Sequence, residues 1–211
     1  MRRLLVINPN TSQSVSTLLQ THVQASAGLH VQVHTTTARF GAPYISDEAG
    51  YAVAAHAALD AWAHALATGP APDAVLIGCF GDPGLLALRE SSPMPVTGLA
   101  EASFIEASRH GRFAIVTGGT RWGPMLQRLA QVLGHAPQLA GIHTVLPTGA
   151  QLAADPAAAR ALLAQACCDV ARQMGVQAVV LGGAGLAGMA AKIQPQVPVP
   201  VIDSVTAGTH W

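Results

Sequence analysis

Asp73-Ala74-Val75-Leu76-Ile77-Gly78-Cys79-Phe80-Gly81-Asp82-Pro83-Gly84 and Gln177-Ala178-Val179-Val180-Leu181-Gly182-Gly183-Ala184-Gly185-Leu186-Ala187-Gly188 are two versions of one pattern, set 104 residues apart. Each opens on a polar residue, runs through strand-forming apolar residues and ends in a glycine-rich loop. Two more pairs extend the match. Arg3-Leu4-Leu5-Val6-Ile7-Asn8-Pro9-Asn10-Thr11 aligns with Arg112-Phe113-Ala114-Ile115-Val116-Thr117-Gly118-Gly119-Thr120 at an offset of 109, and Pro95-Val96-Thr97-Gly98 with Pro200-Val201-Ile202-Asp203 at 105. Three blocks in the same order at nearly one spacing mark an internal duplication.

Strand-like runs at 3–7, 29–36, 74–78, 94–97, 112–117, 142–146, 177–182 and 199–202 alternate with Ala/Leu-rich helical stretches near 12–26, 48–68, 83–91, 100–109, 122–133 and 156–174. Alternation of this kind gives an α/β protein with parallel sheet. The duplication makes it two pseudo-symmetric lobes, each a parallel-sheet αβα sandwich, with a ligand cleft between them. Residues 1–98, joined by 203–211, are expected to form the first lobe and residues 99–202 the second. In both halves the matched loops lie at the carboxyl end of a strand, where open α/β sheets bind ligands. Backbone N–H groups there suit a carboxylate, an imide oxygen or an enolate.

Composition narrows the partners. The 211 residues are half apolar and one-tenth charged, with a mean hydropathy of +0.36. No apolar run reaches the roughly 18 residues of a membrane span, and the start Met1-Arg2-Arg3-Leu4-Leu5-Val6-Ile7-Asn8 is too polar for a secretory signal. Eleven basic and eleven acidic residues leave no field to steer nucleic acid or anionic lipid. Three cysteines form no disulfide framework, which places the chain in the cytoplasm. Lys192 is the single lysine, so a Schiff-base cofactor has one possible anchor, and nothing near it suggests that role. His30 and His34 alternate with apolar residues on a strand's polar face, and no Cys/His/acid cluster has zinc spacing. A small molecule is the expected partner, without metal, cofactor, nucleic acid or membrane.

Cys79 follows an apolar strand and precedes Asp82-Pro83, a good cap and first-turn pair for a helix. A thiol before a helix N-terminus gains thiolate character, and Gly78, Gly81 and Gly84 leave the sulfur unshielded. A lone cysteine in such a place is otherwise a small buried hydrophobe. Cys167 and Cys168 lie within an amphipathic helix and read as packing residues. Asn8, Asn10 and Thr11 offer polar groups at one loop, and Thr117, Gly118, Gly119 and Thr120 offer the matching set. Helix capping by Thr11 or Ser12 is the bland alternative. Trp62 and Trp122, on helical stretches, read as core or interface.

The motifs Ile7-Asn8-Pro9-Asn10-Thr11-Ser12, Gly78-Cys79-Phe80-Gly81-Asp82-Pro83-Gly84 and Val180-Leu181-Gly182-Gly183-Ala184-Gly185 resemble the aspartate/glutamate/hydantoin racemase superfamily, closest to its hydantoin and allantoin branch. The resemblance implies a cofactor-independent isomerase whose two opposed cysteines exchange a proton at an acidic carbon. Cys79 matches the first cysteine; the second belongs at Gly183. It implies further that Phe80, Gly81 and Ala184 contribute N–H groups, that Tyr51 reaches over the ligand from a 46–51 loop, and that several subunits assemble. The stop at Trp211, where family members usually continue into a last helix, is a departure read as an abbreviated C-terminal docking or a shortened chain. With glycine at 183, three explanations stand: a one-thiol relative resembling arylmalonate decarboxylase, a proton carrier other than the thiol, or an engineered substitution. A binding protein that kept the cleft and lost turnover is a further reading.

Gly183-Ala184-Gly185-Leu186-Ala187-Gly188 also satisfies the dinucleotide fingerprint G-x-G-x-x-G, with Asp203 twenty residues on as the ribose-binding acid. Met189 to Pro198, with two prolines, is short for a crossover helix, which ranks a nicotinamide enzyme below the racemase-like reading.

Overall fold

Each apolar run becomes a strand. The structure, a computed structural model, describes residues 1–211, the side chains of Ala150 and Ala153 excepted. The first half supplies β1 (Arg2–Asn8), β2 (Val31–Thr37), β3 (Ala74–Ile77) and β4 (Val96–Gly98); the second supplies β5 (Phe113–Gly118), β6 (Leu139–Val145), β7 (Ala178–Gly182) and β8 (Val201–Asp203). They form two four-stranded parallel sheets of equivalent order, β2-β1-β3-β4 and β6-β5-β7-β8. The fold is the expected α/β pair of lobes.

The register repeats under the sequence offsets. Ile7 pairs with Ile77, and their counterparts Val116 and Leu181 pair likewise; Val75–Val96 is matched by Val179–Val201. Even the strand entrances agree. The Arg3 N–H donates to the Asp73 carboxylate and the Asp73 N–H to the Arg3 carbonyl, while Arg112 and Gln177 make the same two bonds. The central strands are buried on both faces, as parallel sheet covered by helices requires.

The helices α1 (Gln13–Ala27), α2 (Glu48–Thr68), α3 (Leu85–Ser91), α4 (Leu99–Ser108), α5 (Trp122–Val132), α6 (Gly149–Ala154), α7 (Pro156–Met174), α8 (Met189–Ile193) and α9 (Ser204–His210) fill the connections. Their starts are legible. Ser12 caps α1 through the Val15 N–H, Asp47 caps α2 through Gly50, and Asp155 with Pro156 opens α7. Helices α6, α8 and α9 are five to seven residues long, too short for an apolar period to announce them. The C-terminal helix docks through Gly208, where a Cβ would press on Leu76 and Leu99.

The helix after each fourth strand crosses between the sheets. Helix α4 packs on β7 as well as β4, and α9 packs on α1 and α4. Phe104 on α4 sits between Phe80 (centroids 6.3 Å apart, edge-on) and Phe113 (5.9 Å, stacked), carrying one core across the join.

A carboxylate ties each fourth-strand joint, from opposite sides. In the first half Asp82, from the loop after β3, accepts the N–H groups of Ala100 (2.9 Å) and Glu101 (2.7 Å). Gly98 admits it, since a Cβ there would collide with the Asp82 carboxyl. In the second half the acid stands at Gly98's counterpart: Asp203 caps α9 through Val205 and Thr206 and accepts the Gly188 N–H at 2.8 Å. Asp82 therefore caps α4, not the helix it precedes; α3 starts after Gly84 with no side-chain cap.

Candidate active site

The loops after β3 and β7 meet at one cavity of about 400 Å³, lined by both Cys79 and Gly183. Asn10, Phe80, Thr117, Gly118 and Ala184 also line it, as the sequence reading expected. No Asp, Glu, Lys, Arg or His is among the described lining residues; Cys79 and Tyr44 are its titratable groups.

Other expected contacts lie outside the wall. Asn8 is fully buried, its amide donating to Asn10 Oδ1, the Ser12 carbonyl and Ser16 Oγ at 2.9–3.0 Å. It fixes the loop that presents Asn10. Thr11 is bound through its N–H to the Ala42 carbonyl, and capping falls to Ser12. Gly119 closes the turn after β5 with its N–H on Val145, and neither it nor Thr120 lines the cavity. Gly81 sits behind the wall, its missing Cβ replaced by the Trp122 ring. Tyr51 belongs to the first turn of α2 rather than to a loop, and its hydroxyl donates to the Gly81 carbonyl at 2.8 Å. It braces the thiol loop and is not among the described residues that line the cavity.

Tyr44 takes the place expected of Tyr51. It lies in the β2–α2 connection of the first half, lines the cavity, and accepts the Gly149 N–H from the second half at 3.2 Å. Its signal was the neighbouring Gly41 and Pro43, which keep the segment out of helix and near the strand ends. Ser12, Ser14 and Trp122 also line the cavity, Trp122 being both buried core and cavity lining.

Cys79 differs electrostatically from the expectation. Five residues separate it from Leu85, the first residue of α3, so Cys79 does not stand in the first turn or cap of that helix. Burial first, and the nearby Asp82 charge second, push its thiol well above the ordinary range, which favours the protonated sulfur. Burial also raises Asp82 to about 7, against the pull of the Ala100 and Glu101 N–H groups. Cys167 is packed in the core with its thiol pushed up to about 12 by burial, and the Cys168 thiol donates to the Gln196 carbonyl at 3.0 Å.

Gly183 has space but not an easy backbone. A Cβ there would meet only Leu186, at 3.5 Å, whereas its φ of +143° disfavours any L side chain. Its N–H is held by Ser204 Oγ at 3.2 Å. By contrast, the N–H groups of Cys79, Phe80, Ala184 and Gly185 reach no acceptor among the described residues. The dinucleotide reading fails locally. The glycine loop closes into a single 3-10 turn, Ala184–Leu186, a five-residue helix follows, and the Asp203 carboxylate is spent on backbone N–H groups.

Comparison with known proteins gives one answer. Residues 4–210 match the family model described as Asp/Glu/Hydantoin racemase. A hydantoin racemase from Paenarthrobacter aurescens is 34% identical over 97% of this chain and 87% of its own. Among solved structures, allantoin racemase from Klebsiella pneumoniae superposes with a TM-score of 0.93 at 32% identity, covering 100% of this chain and 85% of that one. A liganded mutant of arylmalonate decarboxylase, at 17% identity and TM-score 0.71 over 99% of this chain and 89% of that one, shares the fold.

Proposed function

The chain belongs to the Asp/Glu/hydantoin racemase family, and from that premise we propose that it transfers a proton at the acidic carbon of a small, uncharged cyclic imide of the hydantoin or allantoin kind, with Cys79 as its thiol. The observation that carries this reading is a cavity shared by Cys79 and Gly183 whose described lining bears no fixed charge. A dicarboxylate such as aspartate or glutamate would enter with no cation to meet it, at a desolvation cost a neutral ring escapes.

The chemistry needs no cofactor. The thiol must first release its own proton to solvent. As the resulting Cys79 thiolate takes the proton from carbon, the C–H bonding pair moves onto the neighbouring carbonyl oxygen, giving an enolate and a neutral thiol. The unengaged N–H groups of Phe80, Ala184 and Gly185 supply donors for that oxygen. The thiol then returns a proton to the carbon. The resemblance puts a second thiol at 183, and glycine carries no transferable proton. Return from the Cys79 side preserves configuration while exchanging the hydrogen with solvent.

The bare Gly183 favours a second reading. If the substrate is a malonate, the C–C bonding pair stays on the remaining carboxylate as CO2 leaves, giving an enediolate whose carbon Cys79 protonates on one face. Incubation in D2O with hydantoins, allantoin, aspartate, glutamate and an arylmalonate, followed by NMR and chiral chromatography, tests both. Deuterium entering a hydantoin or allantoin with retained chirality supports the first, and CO2 from the malonate supports the second. Silence on all of them, with ligands still bound, leaves a binding protein.

A further inference from the structure

We propose that Asp82 is the positioning residue of the thiol: it fastens the Cys79 turn to the start of α4 and puts a buried carboxyl three residues along the chain from the thiol. This rests on the reading of Cys79 as the proton carrier. The Asp82 N–H closes the turn on the Cys79 carbonyl at 3.1 Å. Its carboxyl, 1% exposed, crosses to the N–H groups of Ala100 and Glu101. Helix α4 packs in turn on β7, the strand that ends at Gly182 and delivers Gly183. One side chain thus links the two walls of the cavity.

The backbone marks the residue independently. Asp82 is the non-glycine residue with positive φ (52°) among those described, and such outliers persist where surrounding contacts over-determine them. The room it needs comes from Gly98. The groups facing it are Cys79 on its own loop, Glu101 on α4 with its partner Arg89, Tyr51 on α2, and, across a small cavity of about 230 Å³, Arg128 on α5 with Glu48. Asp82 is not itself among the residues that line the main cavity, so its action on chemistry passes through Cys79.

The test is alkylation of the whole protein by iodoacetamide, read by peptide mass spectrometry, with Cys168 as internal standard, beside deuterium exchange into a hydantoin. In Asp82→Asn, loss of the neighbouring charge is expected to speed Cys79 alkylation at pH 8 at least five-fold relative to Cys168, while hydrogen exchange falls at least ten-fold. Gly98→Ala keeps the charge and displaces the carboxyl; exchange is expected to fall similarly. Unchanged alkylation in a folded Asp82→Asn, or unchanged exchange in either variant, overturns the proposal. Failure of both variants to fold overturns it too, in favour of a purely structural cap. If Cys79→Ala exchanges as fast as its parent, the reading of the thiol fails instead, and the alkylation arm still decides the role of Asp82.

Discussion

The Phe80 ring lies so close to the backbone of Gly182 that a Cβ on Gly182 would collide with three of its carbons, Cε1, Cδ1 and Cζ. Phe80 follows Cys79 and Gly182 precedes Gly183, so this contact fixes how far the thiol stands from the opposite wall.

Gly182→Ala is therefore expected to cost about 1–3 kcal/mol, the usual penalty for overpacking, because Phe80 is buried edge-on against Phe104 and must shift to admit the methyl group. A double-mutant cycle with Phe80→Leu, followed by denaturation, checks it. Coupling of at least about 0.5 kcal/mol is expected for residues in contact, and additivity would deny the contact.

Gly183→Cys sets a thiol opposite Cys79 at a position with room for its Cβ and an unfavourable φ. A stability loss of about 1–3 kcal/mol is expected from the strained backbone, together with gain of racemisation of an optically pure hydantoin. Chiral chromatography and thermal unfolding measure both. A folded variant that exchanges hydrogen without losing chirality would count against opposed geometry.

Alkylation of Cys79 should rise steadily with pH through pH 9 with no plateau, since burial and then the Asp82 charge hold the thiol above its ordinary range. A plateau at neutral pH would show a stabilised thiolate. Asp82 works on stability with its own sign. Its folded value of about 7 lies above the ordinary 3.8, so its contribution is whole below pH 4 and is lost as pH rises to 7. A tenfold difference in proton affinity between folded and unfolded chain corresponds to about 1.4 kcal/mol. Urea unfolding of wild type against Asp82→Asn at pH 5 and 7.5 should therefore reveal a difference that shrinks at the higher pH.

Tyr44→Phe removes the hydroxyl that joins Gly149 across the cavity mouth. With a hydrogen bond worth about 1 kcal/mol, KM is expected to rise about five-fold, with kcat little changed. An unaltered KM would place the phenol outside ligand recognition.

Much of this was written in the chain. The repeated strand-loop pairs foretold two like lobes of parallel sheet, because parallel strands buried on both faces spell continuous apolar runs; the strand order and register came only with the structure. Cys79, Asn10, Thr117 and Gly183 were found because a strand end is a fixed address. What stayed hidden depends on side-chain direction and on contacts distant in sequence. Tyr51 and Tyr44 are seven residues apart and chemically alike, and only the start of α2 at Glu48 turns one under the loop and leaves the other at the mouth. Asp82 reads as the cap of the next helix, yet it caps α4 because Gly98, sixteen residues on, leaves the space. Helices α6, α8 and α9 carry too few turns to show a period; α3, equally short, was found from the turn residues Asp82-Pro83 before it.

The most direct measurement follows one hydantoin enantiomer in D2O, recording deuterium at the acidic carbon and optical rotation in the same sample, for the wild type and Cys79→Ala. Deuterium entry far faster than loss of rotation in the wild type, abolished in Cys79→Ala, is the predicted result. Exchange that survives removal of Cys79, or rotation lost as fast as deuterium enters, would contradict a proton carried on one sulfur facing a bare glycine.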